Sequence, residues 1–379
     1  MLRKFEVKNF KNFNDWFIFD LSDIKSYAFN PECVENGIVS KSIVYGPNGC
    51  GKTNLGRAIF DIKTHLTDEK IDDTYSNNYL NAASGEELAE FRYIFQFGDN
   101  TLEYTYGKKS VSKLVYETVA INQKKVISLD RRESSIAMVD LAGAETLNTD
   151  LSDSNLSVVK YVRSNAILAD DAVNSTLKHF LLFVQFMLIE QSVHAHLKVM
   201  RSENTQFISR KFIKEPGCLK KFEEFLNVAG VKCKLTTMDV NGEETIALDF
   251  DREKINFFSV ASTGTRSLTE LYLYFIWLES NIEHCKNDPE VRPFIFIDEF
   301  DAFYHHAVSK LIVKQLRDEK CQAVFTTHNT SIMSNDLLRP DCYFIMNETD
   351  IKPMYRFTEK ELRKAHNIEK MYKAGAFDG

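Results

Sequence analysis

Apolar residues recur along this chain with two different periods, and the change of period marks out its parts. Phe91, Tyr93, Phe95 and Phe97 alternate with Arg92, Ile94 and Gln96, and 101–106 alternates likewise across Gly98-Asp99-Asn100. Alternation of this kind predicts strands with one buried face, joined by a hairpin. The pattern continues through 114–121 and 125–129, so 88–130 reads as an antiparallel meander. Nearly continuous apolar runs at 42–45, 294–297 and 322–326 have a different texture, that of parallel strands covered on both faces. Helical spacing lies between them at 52–65 and 302–317, and a charged helix is predicted over 359–373. From 172 to 226 the chain reads as helical, broken near Pro216-Gly217. The apolar run 180–189 is a buried helix on this reading, too short for a bilayer and carrying Gln185. Two strands at 2–7 and 16–19 open the chain, and Asn241-Gly242 predicts a further hairpin between 232–235 and 245–249. The loops are 22–37 and 68–84, and 131–160 carries no clear pattern.

The apolar run ending at Tyr45 leads into Gly46, Pro47, Asn48, Gly49, Cys50, Gly51, Lys52 and Thr53, and a helical pattern follows from Asn54. This is G-x-x-x-x-G-K-T between a strand and a helix, the setting in which a P-loop works. Glycines let successive N–H groups turn toward phosphate oxygens at a helix N-terminus. Lys52 then reaches the β- and γ-phosphates, and the Thr53 hydroxyl takes a Mg²⁺ position.

Two further strand ends carry candidate chemistry. Phe294-Ile-Phe-Ile297 ends in Asp298 and Glu299. Asp298 suits Mg²⁺, and Glu299 suits orientation or deprotonation of an attacking water. The run at 322–326 leads to His328, which at the carboxyl edge of a parallel sheet can hydrogen-bond a γ-phosphate or that water. Ser262, Thr263, Gly264 and Thr265 precede an apolar helical stretch and offer a second anion site at its N-terminus. His305 and His306 are adjacent, do not share a helix face and read as packing or solvent-facing residues.

Composition adds limits. The 379 residues suffice for one large or two ordinary domains, and 44% hydrophobic with 27% charged residues is ordinary for a soluble protein. A formal charge of −7 argues against a uniformly basic nucleic-acid binder. The cluster Arg210, Lys211, Lys214, Lys220 and Lys221 reads as solvated helix faces rather than a nucleic-acid contact. Seven cysteines without a C-x-x-C pair read as reduced thiols, and no secretory signal is visible, so a cytoplasmic protein is expected.

In order along the chain, the 46–53 loop, Ser262-Thr-Gly-Thr265, Ile297-Asp-Glu-Phe-Asp301 and His328 resemble the Walker A, signature, Walker B with D-loop, and H-loop motifs. Together they resemble an ABC-type ATPase head of the SMC/RecF/OLD kind, over roughly 1–60 and 255–375. The stretch 361–375 is similar to the end of bacterial RloA-like ATPases, a group that includes ATPase components of anti-phage systems such as PARIS. The implied fold is an α/β P-loop head with a mixed or parallel core sheet, an antiparallel meander and a helical lobe. The implied core is 1–67 with 255–379, joined by the 88–130 subdomain, and 165–254 is the inserted lobe.

The resemblance also implies a homodimer that sandwiches ATP and Mg²⁺. Ser262 and Gly264 of one copy would face the γ-phosphate held by Lys52 of the other, with Asp301 at the seam. The signature differs from the transporter form Leu-Ser-Gly-Gly-Gln, so transport is not implied. Gln96, Gln123 and Gln185 are all candidates for the glutamine that links the two lobes. There is no long heptad segment for a coiled-coil arm. The expected function is an ATP-hydrolysing switch that controls a separate effector, such as a nuclease, with no membrane partner. The alternatives are a RecF-like DNA-binding repair ATPase and a nucleotide sensor with little turnover.

Overall fold

The computed structural model describes residues 1–69, 73–152, 154–191, 209–303 and 305–377. Its framework is two sheets with the first long helix between them. The larger sheet is antiparallel and seven-stranded, in the order Met138–Val139, Lys124–Asp130, Lys113–Ile121, Asn100–Ser110, Ala89–Phe97, Leu2–Lys8, Phe17–Asp20. The alternation read from 91–97 decides its faces. Phe91, Tyr93, Phe95 and Phe97 are all buried, and the Phe91 ring stacks on Tyr106 with centroids 4.8 Å apart. On the opposite face Arg92 pairs with Glu103 at 2.9 Å and with Glu6 at 3.4 Å. Asn122 and Gln123, both at positive φ, make the tight turn between two of its strands.

The second sheet is six-stranded, in the order Met187–Gln191, Phe294–Asp298, Gln322–Thr327, Lys41–Tyr45, Tyr343–Met346, Ile351–Pro353. All pairings are parallel except the last, which is antiparallel. The predicted parallel strands are therefore present, and they are buried throughout. Register aligns their carboxyl ends: Tyr45 lies opposite Thr327, Ile297 opposite Phe325, and Gln191 opposite Asp298. The P-loop, the acid pair and His328 consequently share one edge.

The helix Lys52–Phe60 fills the space between the sheets. Gly56 faces the ring of Phe296 in the parallel sheet, while the Tyr93 hydroxyl of the antiparallel sheet donates to the carbonyls of Ala58 and Ile59 at 3.0 and 3.2 Å. Gln322 joins the sheets again: its amide donates to the Leu2 carbonyl at 2.8 Å and accepts from the Leu2 N–H at 2.9 Å.

Several elements differ from the sequence reading. The run 180–189 is not one buried helix. The helix Ala172–Gln185 ends there, and Met187–Gln191 becomes an edge strand of the core sheet. The stretch 165–254 is accordingly not wholly a helical lobe: it supplies this core strand and a three-stranded sheet, Leu235–Val240, Glu243–Asp249 and Lys254–Asn256, beside the helix Cys218–Val228. The predicted 52–65 helix is divided into Lys52–Phe60 and Lys63–Leu66. Over 359–373 only Ile368–Lys373 is helical; in the segment before it Asn335 donates its side-chain amide to the carbonyls of Arg363 and His366 at 2.9 and 3.2 Å, and the Arg363 carbonyl also accepts from the His366 N–H at 3.0 Å. The helix predicted over 302–317 begins at His306, with the His305 ring accepting from the Ala307 N–H as N-cap.

Candidate nucleotide site

The loop 46–53 turns through Gly49 and Gly51, at φ 82° and 104°, conformations that side chains disfavour. Gly46 and Gly51 are also places of close approach. A Cβ on Gly46 would lie 2.5 Å from the Met346 carbonyl oxygen, and one on Gly51 would lie 2.4 Å from Asn12 Nδ2. Asn12 sits in the turn after the first strand and accepts from Asn54 Nδ2 at 2.7 Å, so that turn braces the start of the helix. The sequence reading had not singled out Asn12. Lys52 is buried, and its ammonium donates to the carbonyls of Gly46 and Pro47 at 2.9 and 3.1 Å. Burial pulls its pKa down, against the opposing pull of Asp298 and Glu299. Burial likewise pushes the Cys50 thiol up, so it stays protonated.

The acid pair stands directly across from this loop. Thr53 Oγ1 donates to Asp298 Oδ2 at 2.6 Å, joining residues far apart in sequence. A hydroxyl and a carboxylate oxygen at this separation are hard donors of the kind Mg²⁺ takes, and a loop of N–H groups beside a buried ammonium is the chemistry a polyphosphate needs. The residues present therefore fit both groups. Asp298 Oδ1 accepts from Thr326 Oγ1 at 2.5 Å. Glu299 lies next to it with φ 49°, partly exposed at the sheet edge. Asp301 accepts from Thr327 Oγ1 at 2.6 Å, while its Oδ2 is buried with no hydrogen-bond partner among the described residues.

His328 emerges from the end of the Gln322–Thr327 strand and is exposed. Its pKa is lowered, first by partial burial and then by the Lys52 charge, with Glu299, Asp298 and Asp301 pulling the other way. All four charged groups thus act on one imidazole, which is neutral at pH 7.

Ser262 is the N-cap of the helix Thr263–His284, its Oγ accepting from the Thr265 N–H at 3.2 Å. Ser262 is exposed, and Gly264 backs onto the loop that follows the acid pair, where a Cβ would meet the Phe303 carbonyl oxygen at 2.8 Å. The Ser262 turn thus neighbours the 299–303 loop of its own chain, and its hydroxyl also lies 2.9 Å from Thr265 Oγ1.

None of the three candidate linking glutamines lies at the parallel-sheet edge. Gln96 belongs to the antiparallel sheet, Gln123 to a hairpin turn, and Gln185 to the end of the Ala172–Gln185 helix. Gln191 does lie there, paired in register with Asp298. The signal for it was tertiary: 187–191 shows itself as a strand only through its partner at Phe294–Asp298. The basic cluster is in part neutralised, Arg210 pairing with Glu243 at 3.3 Å. All seven cysteines are free thiols, and no helix among the described residues is long and apolar enough to cross a membrane.

The family model described as "AAA domain, putative AbiEii toxin, Type IV TA system" matches residues 42–334, from the P-loop strand to just beyond His328. The chain belongs to this family. Among solved structures, it is similar to an SMC head bound to the C-terminal winged-helix domain of ScpA, with TM-score 0.50 and 15% identity over 93% of this chain and 96% of that one. An SMC head domain from Thermotoga maritima aligns at TM-score 0.43 and 16% identity, covering 93% and 98%. The recombination mediator RecF aligns at TM-score 0.40 and 14% identity, covering 93% and 97%. No curated protein matches. The fold is the α/β P-loop ATPase head expected from the ordered motifs.

Proposed function

We propose that this protein is an ATP-binding and hydrolysing switch that closes as a homodimer and controls a separate effector protein. The observation that carries the proposal is the Thr53–Asp298 hydrogen bond at 2.6 Å, which brings a P-loop hydroxyl and an acid-pair carboxylate together, the two residues that would hold Mg²⁺. Lys52 holds the β- and γ-phosphates, its ammonium leaving the Gly46 and Pro47 carbonyls to do so. Bound there, Mg²⁺ supplies positive charge to the phosphate oxygens. Glu299 takes a proton from the attacking water as its oxygen bonds to the γ-phosphorus, and the bond to ADP breaks. Neutral His328 hydrogen-bonds the γ-phosphate edge and keeps the water in line. Ser262 and Gly264 of a second copy complete the site, which suits the exposed position of Ser262 at the N-terminus of its helix. Closure then follows from contacts that the open form lacks.

The effector and the defence role rest on the resemblance of 361–375 to RloA-like ATPases and on the AbiEii-type family description. A cytoplasmic location belongs to the same proposal and suits seven free thiols. The competing reading, a RecF-like clamp on duplex DNA, makes a different demand. It requires ATP-dependent DNA binding that weakens steeply with salt, whereas a switch for a protein effector is indifferent to DNA.

Steady-state turnover tests the core of the proposal. Glu299→Gln is expected to lower turnover by about 100-fold or more while retaining ATP binding, and Lys52→Ala to lose binding. Wild-type turnover no faster than that of Glu299→Gln would overturn hydrolysis and leave a nucleotide sensor.

A further inference from the structure

Glu299 adopts φ 49°, a left-handed conformation uncommon for a residue with a side chain. Its backbone N–H donates to Thr326 Oγ1 at 2.8 Å, and the next N–H, that of Phe300, donates to the Thr326 carbonyl at 3.2 Å. The same Thr326 hydroxyl lies 2.5 Å from Asp298 Oδ1. The proton positions follow from chemistry. An amide N–H can only donate, so Oγ1 accepts from Glu299. A carboxylate can only accept, so the single hydroxyl proton goes to Asp298. One fully buried oxygen on the neighbouring strand therefore fixes two things at once. It commits Oδ1 of Asp298 and leaves Oδ2 for Thr53, and it holds the turned backbone from which the Glu299 side chain projects.

We propose that Thr326 is a positioning residue for the acid pair, orienting Asp298 toward the metal position and Glu299 toward the water. The proposal rests on the reading of these two acids given above, and it deepens that reading. Valine at this position keeps the shape and β-branching of threonine but offers neither donor nor acceptor. It leaves Asp298 Oδ1 buried and unsatisfied and frees the Glu299 peptide to leave its left-handed conformation. Serine keeps the hydroxyl and loses only a methyl group.

The test compares wild type, Thr326→Val and Thr326→Ser in the full chain, with thermal melting to confirm folding. Binding of a fluorescent ATP analogue is titrated with Mg²⁺, and kcat is measured separately. Partners that orient a metal ligand are typically worth about 10- to 100-fold in metal affinity or activity. Thr326→Val is accordingly expected to raise the Mg²⁺ half-saturation point of nucleotide binding about 10-fold and to lower kcat by about 10- to 100-fold. Its nucleotide affinity without Mg²⁺ stays within about twofold of wild type, and Thr326→Ser recovers most of both losses. If Thr326→Val does not fold, Thr326→Ala against Thr326→Ser makes the same comparison. Wild-type Mg²⁺ dependence and kcat in the hydroxyl-free variant would overturn the proposal, as would a serine variant as defective as valine. Should Glu299→Gln turn over as fast as wild type, the hydrolysis reading fails on its own, and the Mg²⁺ titration still decides the role of Thr326.

Discussion

The ammonium of Lys108 donates to Asp61 Oδ2 at 2.7 Å with both side chains wholly buried. The carboxylate also accepts from the hydroxyls of Tyr106 at 3.0 Å, Tyr79 at 2.9 Å and Tyr75 at 3.1 Å. Asp61 follows the helix that begins at Lys52, and Lys108 lies in the antiparallel sheet, so this network anchors the far end of the P-loop helix. Burial draws the Lys108 pKa down, against the pull of Asp61. Removing one member of such a pair strands the other charge. Lys108→Met is therefore expected to cost about 3–5 kcal/mol, read as a lower urea midpoint with an unchanged denaturant slope.

Gly56 reverses the usual rule for helical glycines. Replacing an exposed helix glycine by alanine ordinarily gains about 1 kcal/mol. Here a Cβ would lie 2.5 Å from Phe296 Cε1, inside the contact that seats the helix on the acid-pair strand. Gly56→Ala is expected to lose about 1–3 kcal/mol through overpacking, and Phe296→Leu in the same chain to recover part of it. Equilibrium denaturation of the two variants measures both effects.

His328 provides a pH test of the charge arrangement. Its pKa lies below the ordinary value of about 6.5, held down first by burial and then by Lys52. Lys52→Ala is expected to raise it, and Glu299→Gln to lower it further, because that change removes a negative charge favouring the imidazolium. In the window between the lowered pKa and the ordinary one, the unfolded chain binds more protons than the native chain. This histidine's contribution to stability therefore rises with pH across that window. Two-dimensional NMR titration of the ring nitrogens reads the shifts directly.

The parts of the fold written locally were legible, and those created by distant pairing were not. Alternation at Phe91, Tyr93, Phe95 and Phe97 identified the meander, and each of these residues does face the core. The apolar run at 294–297 and the Gly-rich loop at 46–53 placed the acid pair and Lys52 on a common edge, as strand register confirms. The strand Met187–Gln191 was missed because no turn residue separates it from the preceding helix. Only pairing with Phe294–Asp298 makes it a strand, and Gln191 was hidden with it. Helix-forming residues over 359–367 misled for a related reason, since this segment is tied by side-chain bonds to the remote Asn335. Thr326 and Asn12 gave no signal, because their roles exist only where two remote segments touch.

The central claim is that two copies of this chain meet across shared nucleotide, with Ser262 of one facing the Lys52 loop of the other. Sedimentation velocity of Glu299→Gln, with and without ATP and Mg²⁺, tests it most directly. The expected result is a dimer only when both are present, reverting to monomer when Ser262→Arg is added. A Glu299→Gln protein that binds ATP yet sediments identically with and without it would contradict the claim.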